Sequence, residues 1–263
     1  MGLSCALSHF GQFLISAFIF SFEVSVITST PAPKLADGIQ TIQQIYDGRY
    51  TYIDQTGYFL QLLAKGKHYF IARPERSGKS LFLSTLLEIF KGKKEIFAGT
   101  EIYDSNYDWK TYPVLHFDFS QISSRAPGQF EEGLITELKE MIKLNKVPVN
   151  GAGASFQFLL RKLVQGLYEK DKVGVVVLVD EYDNPIMYRR DSKLAERNQD
   201  VVDDFFATLK SLDRYLKFTF VAGIDKTIIA NLHGANYLKD ISTNPEYSMF
   251  LEFHKDVTQL LRG

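Results

Sequence analysis

One segment constrains the fold of this chain more than any other, because it combines the patterns of a strand, a tight loop and a helix in succession. The apolar run His68–Ala72 precedes the loop, Gly78-Lys79-Ser80 stands where the loop turns into a helix, and the helical pattern covers Lys79–Phe90. Backbone N–H groups at a helix N-terminus bind anions, and a lysine placed there reaches the terminal phosphates of a nucleotide. The order of elements therefore predicts a phosphate-binding loop.

The residue types in this loop predict separate tasks for its members. Lys79 is predicted to bind the phosphates, Ser80 to ligate Mg²⁺, and Gly78 to let the backbone approach the ligand. The motif is imperfect, because Arg73 stands five residues before Gly78, where the usual pattern has Gly. A Gly-Lys-Ser/Thr tripeptide is also expected by chance in roughly one in ten chains of this length. The loop alone is therefore compatible with both a phosphate-binding loop and a chance occurrence of the tripeptide.

A second segment further along the chain supports the first. The apolar run Gly174–Val179 is typical of a strand buried on both faces, and it ends in the carboxylates Asp180 and Glu181. In open α/β sheets, ligands bind outside the carboxyl ends of the strands. Asp180 is therefore predicted to hold Mg²⁺, directly or through water, and Glu181 to polarise an attacking water as the catalytic base. The alternative is a strand end capped by a turn at Asp183-Asn184-Pro185.

Longer patterns around both motifs resemble a known family. The patterns are Arg73-Pro74-x-Arg76-x-Gly78-Lys79-Ser80 and Val177-Leu178-Val179-Asp180-Glu181-Tyr182-Asp183-x-Pro185. With them the chain resembles the bacterial AAA-ATPase-like family, from about Leu35 to Ile241. The segment Tyr50–Thr56 is similar to that family's Tyr-Val-Asp-Lys-Thr signature, with Gln55 in place of the Lys.

The resemblance implies an organisation for the chain. Family members often join a P-loop domain to a C-terminal nuclease-like domain of the restriction-endonuclease type, and we expect this chain to lack both that domain and the helical lid. In the family, Arg commonly stands at the position of Arg73. Glu75 and Ser77 depart from the usual Arg and Phe.

The resemblance also implies a sensor strand. In the additional-strand class of P-loop ATPases, a strand lies between the loop strand and the acidic strand, and a polar sensor residue is found at a strand end nearby. Lys217–Gly223 is the sensor strand by resemblance. Ala222 occupies a position where the family commonly has Thr, so the sensor would be Asp225 or Lys226, or be absent.

Composition excludes several other classes of protein. The 30 basic and 31 acidic residues nearly cancel, so no global field attracts nucleic acid or anionic lipid. The single cysteine, Cys5, excludes a disulfide framework, and the five histidines show no metal-ligand spacing.

Residues 1–33 differ in kind from the rest. The apolar run Phe10–Phe22 is shorter than the ~20 apolar residues that a transmembrane helix needs, and its length suits the hydrophobic region of a signal peptide. However, no Lys or Arg precedes Lys34, so the positive segment of a signal peptide is missing. A cleaved or anchoring leader, an incorrectly assigned start and a helix docked on the domain all stay open.

Alternating patterns predict an α/β fold for residues 34–263. We expect a P-loop NTPase three-layer sandwich with a largely parallel central sheet, because strands alternate with helices along the chain. Residues 224–263 read as irregular pieces with one short helix, Lys255–Leu261. The predicted strands are Tyr50–Ile53, His68–Ala72, Pro113–Ser120, Gly174–Val179 and Tyr215–Gly223, and the predicted helices are Ile39–Tyr46, Phe59–Lys65, Lys79–Phe90, Phe130–Leu144, Ala154–Glu169 and Glu196–Leu212.

Weaker candidates each have a second interpretation. Lys91–Lys94 suits contacts with the phosphates of a nucleic acid or simply a helix C-terminus, where the dipole favours cations. Asp118 and Ser120 suit the surroundings of Mg²⁺ or the start of a loop, and Asp183 suits support of Glu181 or a turn. Candidates for an arginine that neutralises charge in the transition state, each also compatible with a solvated surface position, are Arg125, Arg189 and Arg190.

The patterns together predict an ATP-binding, Mg²⁺-dependent ATPase domain whose turnover in this form is slow. A regulatory module that binds nucleotide without turnover is the alternative. None of these arginines is assigned to the transition state, and we expect a protein partner or a homo-oligomer to supply one. Direct nucleic-acid binding is not expected. A cytoplasmic location is expected unless residues 1–33 anchor or export the chain. The predicted site residues are Glu181 for catalysis, Ser80 and Asp180 for Mg²⁺, and Arg73, Arg76, Ser77, Gly78, Lys79, Ser80 and Leu81 for the nucleotide.

Overall fold

A computed structural model describes residues 34–35, 39–48, 50–149, 153–187, 189, 191–248 and 250–251 of the chain. The predicted leader at residues 1–33 and the predicted helix Lys255–Leu261 lie outside the described residues, as do Cys5 and Arg190.

The described part of the chain is built around a five-stranded sheet in which every pairing is parallel. A separate two-residue pairing joins β1 to β2. The strands are β1 (Lys34–Leu35), β2 (Tyr50–Thr51), β3 (His68–Ala72), β4 (Val114–Asp118), β5 (Val175–Asp180), β6 (Leu216–Gly223) and β7 (Lys239–Asp240).

Helices cover both faces of this sheet, as the alternation of patterns predicted. Short 3₁₀ turns lie between several of them. None of the described helices combines the length and the apolar character that crossing a membrane requires. The helices are α1 (Ile42–Asp47), α2 (Thr56–Lys65), α3 (Lys79–Phe90), α4 (Glu101–Asp104), α5 (Gln129–Leu144), α6 (Phe156–Asp171), α7 (Asn184–Met187), α8 (Ser192–Ser211) and α9 (Lys226–Ala230).

The interior strand β5 shows why the fold has three layers. All six of its residues are buried. Successive side chains of a strand point to opposite faces, and here Val175, Val177 and Val179 belong to one hydrophobic core while Val176 and Leu178 belong to the other. Helices α5, α6 and α8 contribute to the first core, and α2 and α3 contribute to the second. The three-layer α/β sandwich with a parallel sheet is therefore confirmed.

The strand order places the predicted motifs side by side. It runs β4-β5-β6-β3-β7, so β6 lies between the loop strand β3 and the acidic strand β5. This is the arrangement of the additional-strand class. Because all strands run in the same direction, the phosphate loop, the acidic pair and the end of β6 meet at one edge of the sheet.

The prediction that residues 224–263 contain no further strand was wrong. Lys239–Asp240 pairs in parallel with Tyr69–Phe70 of β3 and forms the edge of the sheet. With only two residues, both exposed, this strand carries no hydrophobic period that a sequence pattern can reveal. The short helix α9 before it was also missed.

Candidate functional site

The loop between β3 and α3 has the backbone shape that its glycine predicted. Gly78, the residue before α3, has a φ of 92°, in the left-handed region that L side chains rarely adopt. Arg76, two residues earlier, also has a positive φ of 60°. The loop turns sharply into α3 as a result, and the first N–H groups of that helix have no acceptors within it. An anion placed there is favoured by these donors and by the helix dipole.

Lys79 lies inside the turn of the loop. Its side chain is only 4% exposed, although an unpaired lysine is almost never fully buried. The burial is explained by the oxygens around the ammonium, because Nζ donates hydrogen bonds to the carbonyl oxygens of Arg73 and Pro74, each at 3.1 Å. Nζ also lies 3.8 Å from Oε1 of Glu181. The ammonium of Lys79 therefore lies within the loop, where the sequence predicted that a lysine binds phosphate.

The two residues predicted to hold Mg²⁺ lie near each other. Asp180 is 3% exposed, and burial raises the pKa of this carboxyl, while the nearby Ser80 side chain acts in the opposite direction. A hydroxyl and a carboxylate oxygen are ligands that Mg²⁺ accepts, usually beside the phosphates of its nucleotide. The residues present therefore fit a magnesium-nucleotide site.

Glu181 follows directly in a strained conformation. Its φ is 50°, unusual for a residue with a side chain, and its N–H donates to Oδ1 of Asp180 at 3.0 Å. Burial raises the pKa of the Glu181 carboxyl to about 7; Lys79 lowers it, and the carboxylates of Asp180, Asp183 and Asp118 raise it further. A carboxylate that titrates near neutral pH is suited to accept a proton.

Asp183 joins the acidic turn to the loop that follows β6. It is fully buried, and its Oδ2 accepts hydrogen bonds from the backbone N–H groups of Ile224 and Asp225, both at 2.7 Å. The neighbouring Tyr182 donates its hydroxyl to the carbonyl oxygen of Asp225 at 2.5 Å. Both interpretations of Asp183, a turn residue and a support for Glu181, agree with these contacts.

Asp118 lies beside the acidic pair. It is the register partner of Asp180 on the neighbouring strand, and its charge is among the causes that raise the pKa values of Asp180 and Glu181. Its Oδ1 also accepts from the N–H and the hydroxyl of Ser120, at 3.0 and 2.6 Å. Asp118 thus caps the short 3₁₀ turn Phe119–Gln121, and the Ser120 hydroxyl is turned toward Asp118.

The side chain of Arg73 makes contacts that the sequence did not predict. Its guanidinium is buried and donates to the carbonyl oxygens of Ser242, Tyr247 and Phe250 at 2.5, 2.7 and 2.9 Å. The side chain therefore ties the first residue of the loop to the segment after β7. Whether Arg73 also contacts a nucleotide stays a prediction.

The other loop residues differ in exposure. Arg76 is exposed, Leu81 is half-buried, and Ser77 is buried with no hydrogen-bond partner for its hydroxyl among the described residues. Their predicted contacts with nucleotide stay predictions. They belong to the same turn and the first turn of α3 as Lys79 and Ser80.

The sensor and arginine candidates are resolved in part. Asp225 caps α9, since its Oδ1 accepts from the N–H and hydroxyl of Thr227 at 2.8 and 2.7 Å, and Lys226 is exposed. Arg125 is exposed. Arg189 is not a solvated surface residue: it donates to Oγ of Ser124 at 2.8 Å and to two backbone carbonyl oxygens.

Two other sequence signals have structural explanations. Lys91 and Lys93 pair with Glu88 at 3.0 and 2.7 Å at the end of α3, in agreement with cations at a helix C-terminus. In the Tyr50–Thr56 signature, Oδ2 of Asp54 accepts the N–H of Glu101 at 2.7 Å and Oγ1 of Thr56 accepts that of Ile102 at 3.0 Å. The signature thus holds the start of α4.

Fold and site together define a P-loop NTPase-like domain in which one strand separates the phosphate-loop strand from the acidic strand. Comparison with protein families agrees, because residues 36–233 match the AAA-ATPase-like family, described as "Predicted AAA-ATPase". The chain belongs to this family, as the motifs predicted, and its ATPase-like domain accounts for most of the described residues.

A curated relative carries the same kind of sequence. An uncharacterized protein encoded in the vnfD 5' region of Azotobacter chroococcum mcd 1 is 36% identical to this chain over 221 residues. The match covers 82% of this chain but 42% of the relative. The matched part of the chain therefore spans less than half the length of that relative.

Proposed function

We propose that this chain binds ATP together with Mg²⁺ and hydrolyses it slowly. The observation that carries the proposal is the meeting of Lys79, Ser80, Asp180 and Glu181 at one edge of the sheet, with Lys79 Nζ 3.8 Å from Glu181 Oε1. A cation for the phosphates, an oxygen pair for the metal and a carboxylate base are the components that phosphoryl transfer to water requires.

Each residue has one role in this proposal. Lys79 exchanges its loop carbonyls for phosphate oxygens, and Ser80 with Asp180 holds Mg²⁺, which neutralises phosphate charge when bound. Glu181 orients a water and accepts its proton while the water oxygen bonds to the γ-phosphorus. The bond from that phosphorus to the β–γ bridging oxygen breaks, and ADP leaves with the electron pair. Glu181 then returns the proton to solvent.

Slow turnover is proposed because neither Arg125 nor Arg189, the described candidates, is assigned to neutralising charge in the transition state. Arg189 is engaged in the hydrogen bonds given above, and Arg125 is exposed without an assigned role. Such an arginine contributes ~10³–10⁵ in rate where it is present. We propose that a protein partner, a second copy of the chain or a lid supplies it, and that the chain alone turns over below ~1 s⁻¹, slower than ordinary enzymes.

The proposal extends to organisation and place. In this proposal residues 34–263 are the P-loop domain, residues 1–33 are a hydrophobic leader, and the domain acts in the cytoplasm unless that leader anchors or exports it. We propose no direct contact with nucleic acid.

A titration with a fluorescent ATP analogue, with and without Mg²⁺, tests the proposal. The chain and a Lys143→Ala control, which alters an exposed lysine of α5, are expected to bind with equal affinity, and Lys79→Ala is expected to show no binding while circular dichroism shows an intact fold. Equal binding by Lys79→Ala would disprove the phosphate role of Lys79. Binding without phosphate release above background would favour the regulatory module instead.

A further inference from the structure

The segment after β7, defined here as residues 242–248 with 250 and 251, is attached directly to the phosphate loop. Three of its carbonyl oxygens accept from the guanidinium of Arg73. In addition, Oγ of Ser242 accepts the N–H of Ala72, the last residue of β3, at 2.8 Å. A buried guanidinium with several backbone acceptors is a strong, specific attachment, because its donors form a planar, preorganised fork.

The far end of this post-β7 segment lies against the residues that turn the loop into α3. A methyl carbon of Leu251 lies 4.0 Å from the position that a Cβ on Gly78 would occupy. The ring of Phe250 packs edge-on against that of Phe82 in the first turn of α3, with 4.6 Å between the centroids. The N–H of Leu251 donates to Oε1 of Gln55 at 3.4 Å. Leu251 therefore stands beside the helix N-terminus at which the loop offers its N–H groups.

Arg73 connects this segment to the phosphate lysine. Its carbonyl oxygen accepts from Nζ of Lys79 at 3.1 Å, while its guanidinium holds the segment. Phosphate oxygens compete for the same ammonium, because a charged acceptor forms a stronger hydrogen bond than a carbonyl. A nucleotide that binds Lys79 thus breaks the hydrogen bond from Lys79 to the carbonyl oxygen of Arg73. This changes the contacts of the residue to which the segment is attached.

We propose that the post-β7 segment forms one wall of the nucleotide site, with Arg73 as its positioning residue, so that nucleotide binding and the closed position of the segment stabilise each other. This rests on the proposed ATP binding. The nucleotide makes an apolar contact with Leu251, and the bound nucleotide covers part of the segment. Such coupling is reciprocal. If bound nucleotide stabilises the closed position of the segment by some factor, the closed position raises nucleotide affinity by the same factor.

Amide hydrogen exchange tests the proposal on the unmodified chain. The reporters are the N–H groups of Tyr247, Ser248, Phe250 and Leu251, which donate to Asn244, Pro245, Tyr247 and Gln55 respectively. With saturating Mg-ATP we expect exchange of these amides to slow by about 5- to 150-fold, the usual range of coupling between two sites. Unchanged or faster exchange in a sample that binds ATP would overturn this proposal and leave the proposed function in place. Failure to bind ATP would instead defeat both.

A pair of arginine variants separates positioning from simple stability. Arg73→Lys keeps the charge but replaces the fork by one point donor, so we expect weaker ATP binding by about 5-fold or more and a smaller nucleotide-induced slowing of exchange. Arg161→Lys, on the exposed face of α6, is the control and should match the parent in both measurements. If Arg73→Lys only lowers the melting temperature, and ATP affinity and the nucleotide-induced slowing stay at parental values, Arg73 is structural and the proposal fails. If Arg73→Lys does not fold, Leu251→Ala serves as the second variant with the same expected losses.

Discussion

The ammonium of Lys79 lies 3.8 Å from Oε1 of Glu181, so the residue proposed to bind phosphate and the residue proposed to activate water act on each other before any ligand is present. The Lys79 charge opposes the effect of burial on the Glu181 carboxyl. When Lys79 pairs with phosphate, its charge acts less on Glu181, and the pKa of the Glu181 carboxyl is expected to rise. This pair therefore links nucleotide binding to the strength of the base.

Replacing Glu181 by Gln separates binding from hydrolysis. The amide keeps the shape of the side chain but accepts protons poorly, so ATP affinity should stay the same or increase while turnover falls by ~10²-fold or more, the scale of a positioned base. Phosphate release and nucleotide titration measure the two effects. Glu196→Gln, an exposed site on α8, is the control. Equal turnover in the Glu181 variant and the parent would make Glu181 a structural carboxylate.

The pH dependence of hydrolysis should report the raised pKa of Glu181. The base works only when ionised, so a pKa of about 7 in place of the ordinary 4.5 predicts that kcat/KM falls as the pH drops through about 7 and levels off above it. The residual activity of Glu181→Gln should lack this limb. A parental profile that stays flat from pH 8 down to pH 5 would contradict the assignment.

Weakening the proposed Mg²⁺ ligands should abolish the effect of Mg²⁺ on nucleotide binding. Ser80→Ala removes the hydroxyl and Asp180→Asn removes the negative charge, so ATP affinity should become similar with and without Mg²⁺. Ser80→Thr is the matched control, because a hydroxyl remains and phosphate loops use either residue. Titration of each variant at several Mg²⁺ concentrations gives the answer. Full Mg²⁺ dependence in both Ser80→Ala and Asp180→Asn would place the metal elsewhere.

Truncating Asp183 should destabilise the fold. The buried carboxylate accepts two backbone N–H groups at 2.7 Å, and Asp183→Ala leaves both donors without this acceptor, at a cost of about 2–5 kcal/mol in the free energy of unfolding. Asp183→Asn keeps an acceptor oxygen and should lose less. Urea unfolding of both variants, with the exposed Asp171→Ala as control, measures the difference. Equal stability of Asp183→Ala and the parent would show that water replaces the carboxylate.

The elements around the motifs were predictable because local patterns decide them. The bounds of β3 and α3 agree with the predicted His68–Ala72 and Lys79–Phe90. Gly92, just after α3, has the left-handed backbone that is common where helices end, with a φ of 73°. The start of α8 was placed four residues late, at Glu196 instead of Ser192. The missed signal was Asp191, whose Oδ1 accepts the N–H groups of Lys193 and Leu194.

The sequence by itself determined the phosphate loop, the acidic strand and the parallel α/β class, because each follows from residue spacing within one element. Tertiary structure decided which elements are neighbours: β6 between β3 and β5, β7 at the edge, and the guanidinium of Arg73 on carbonyl oxygens of the post-β7 segment. Those acceptors are backbone carbonyl oxygens, which every residue has. No pattern of side chains in the sequence therefore predicts which of them Arg73 contacts. Their position depends on how the sheet and the chain after it pack together.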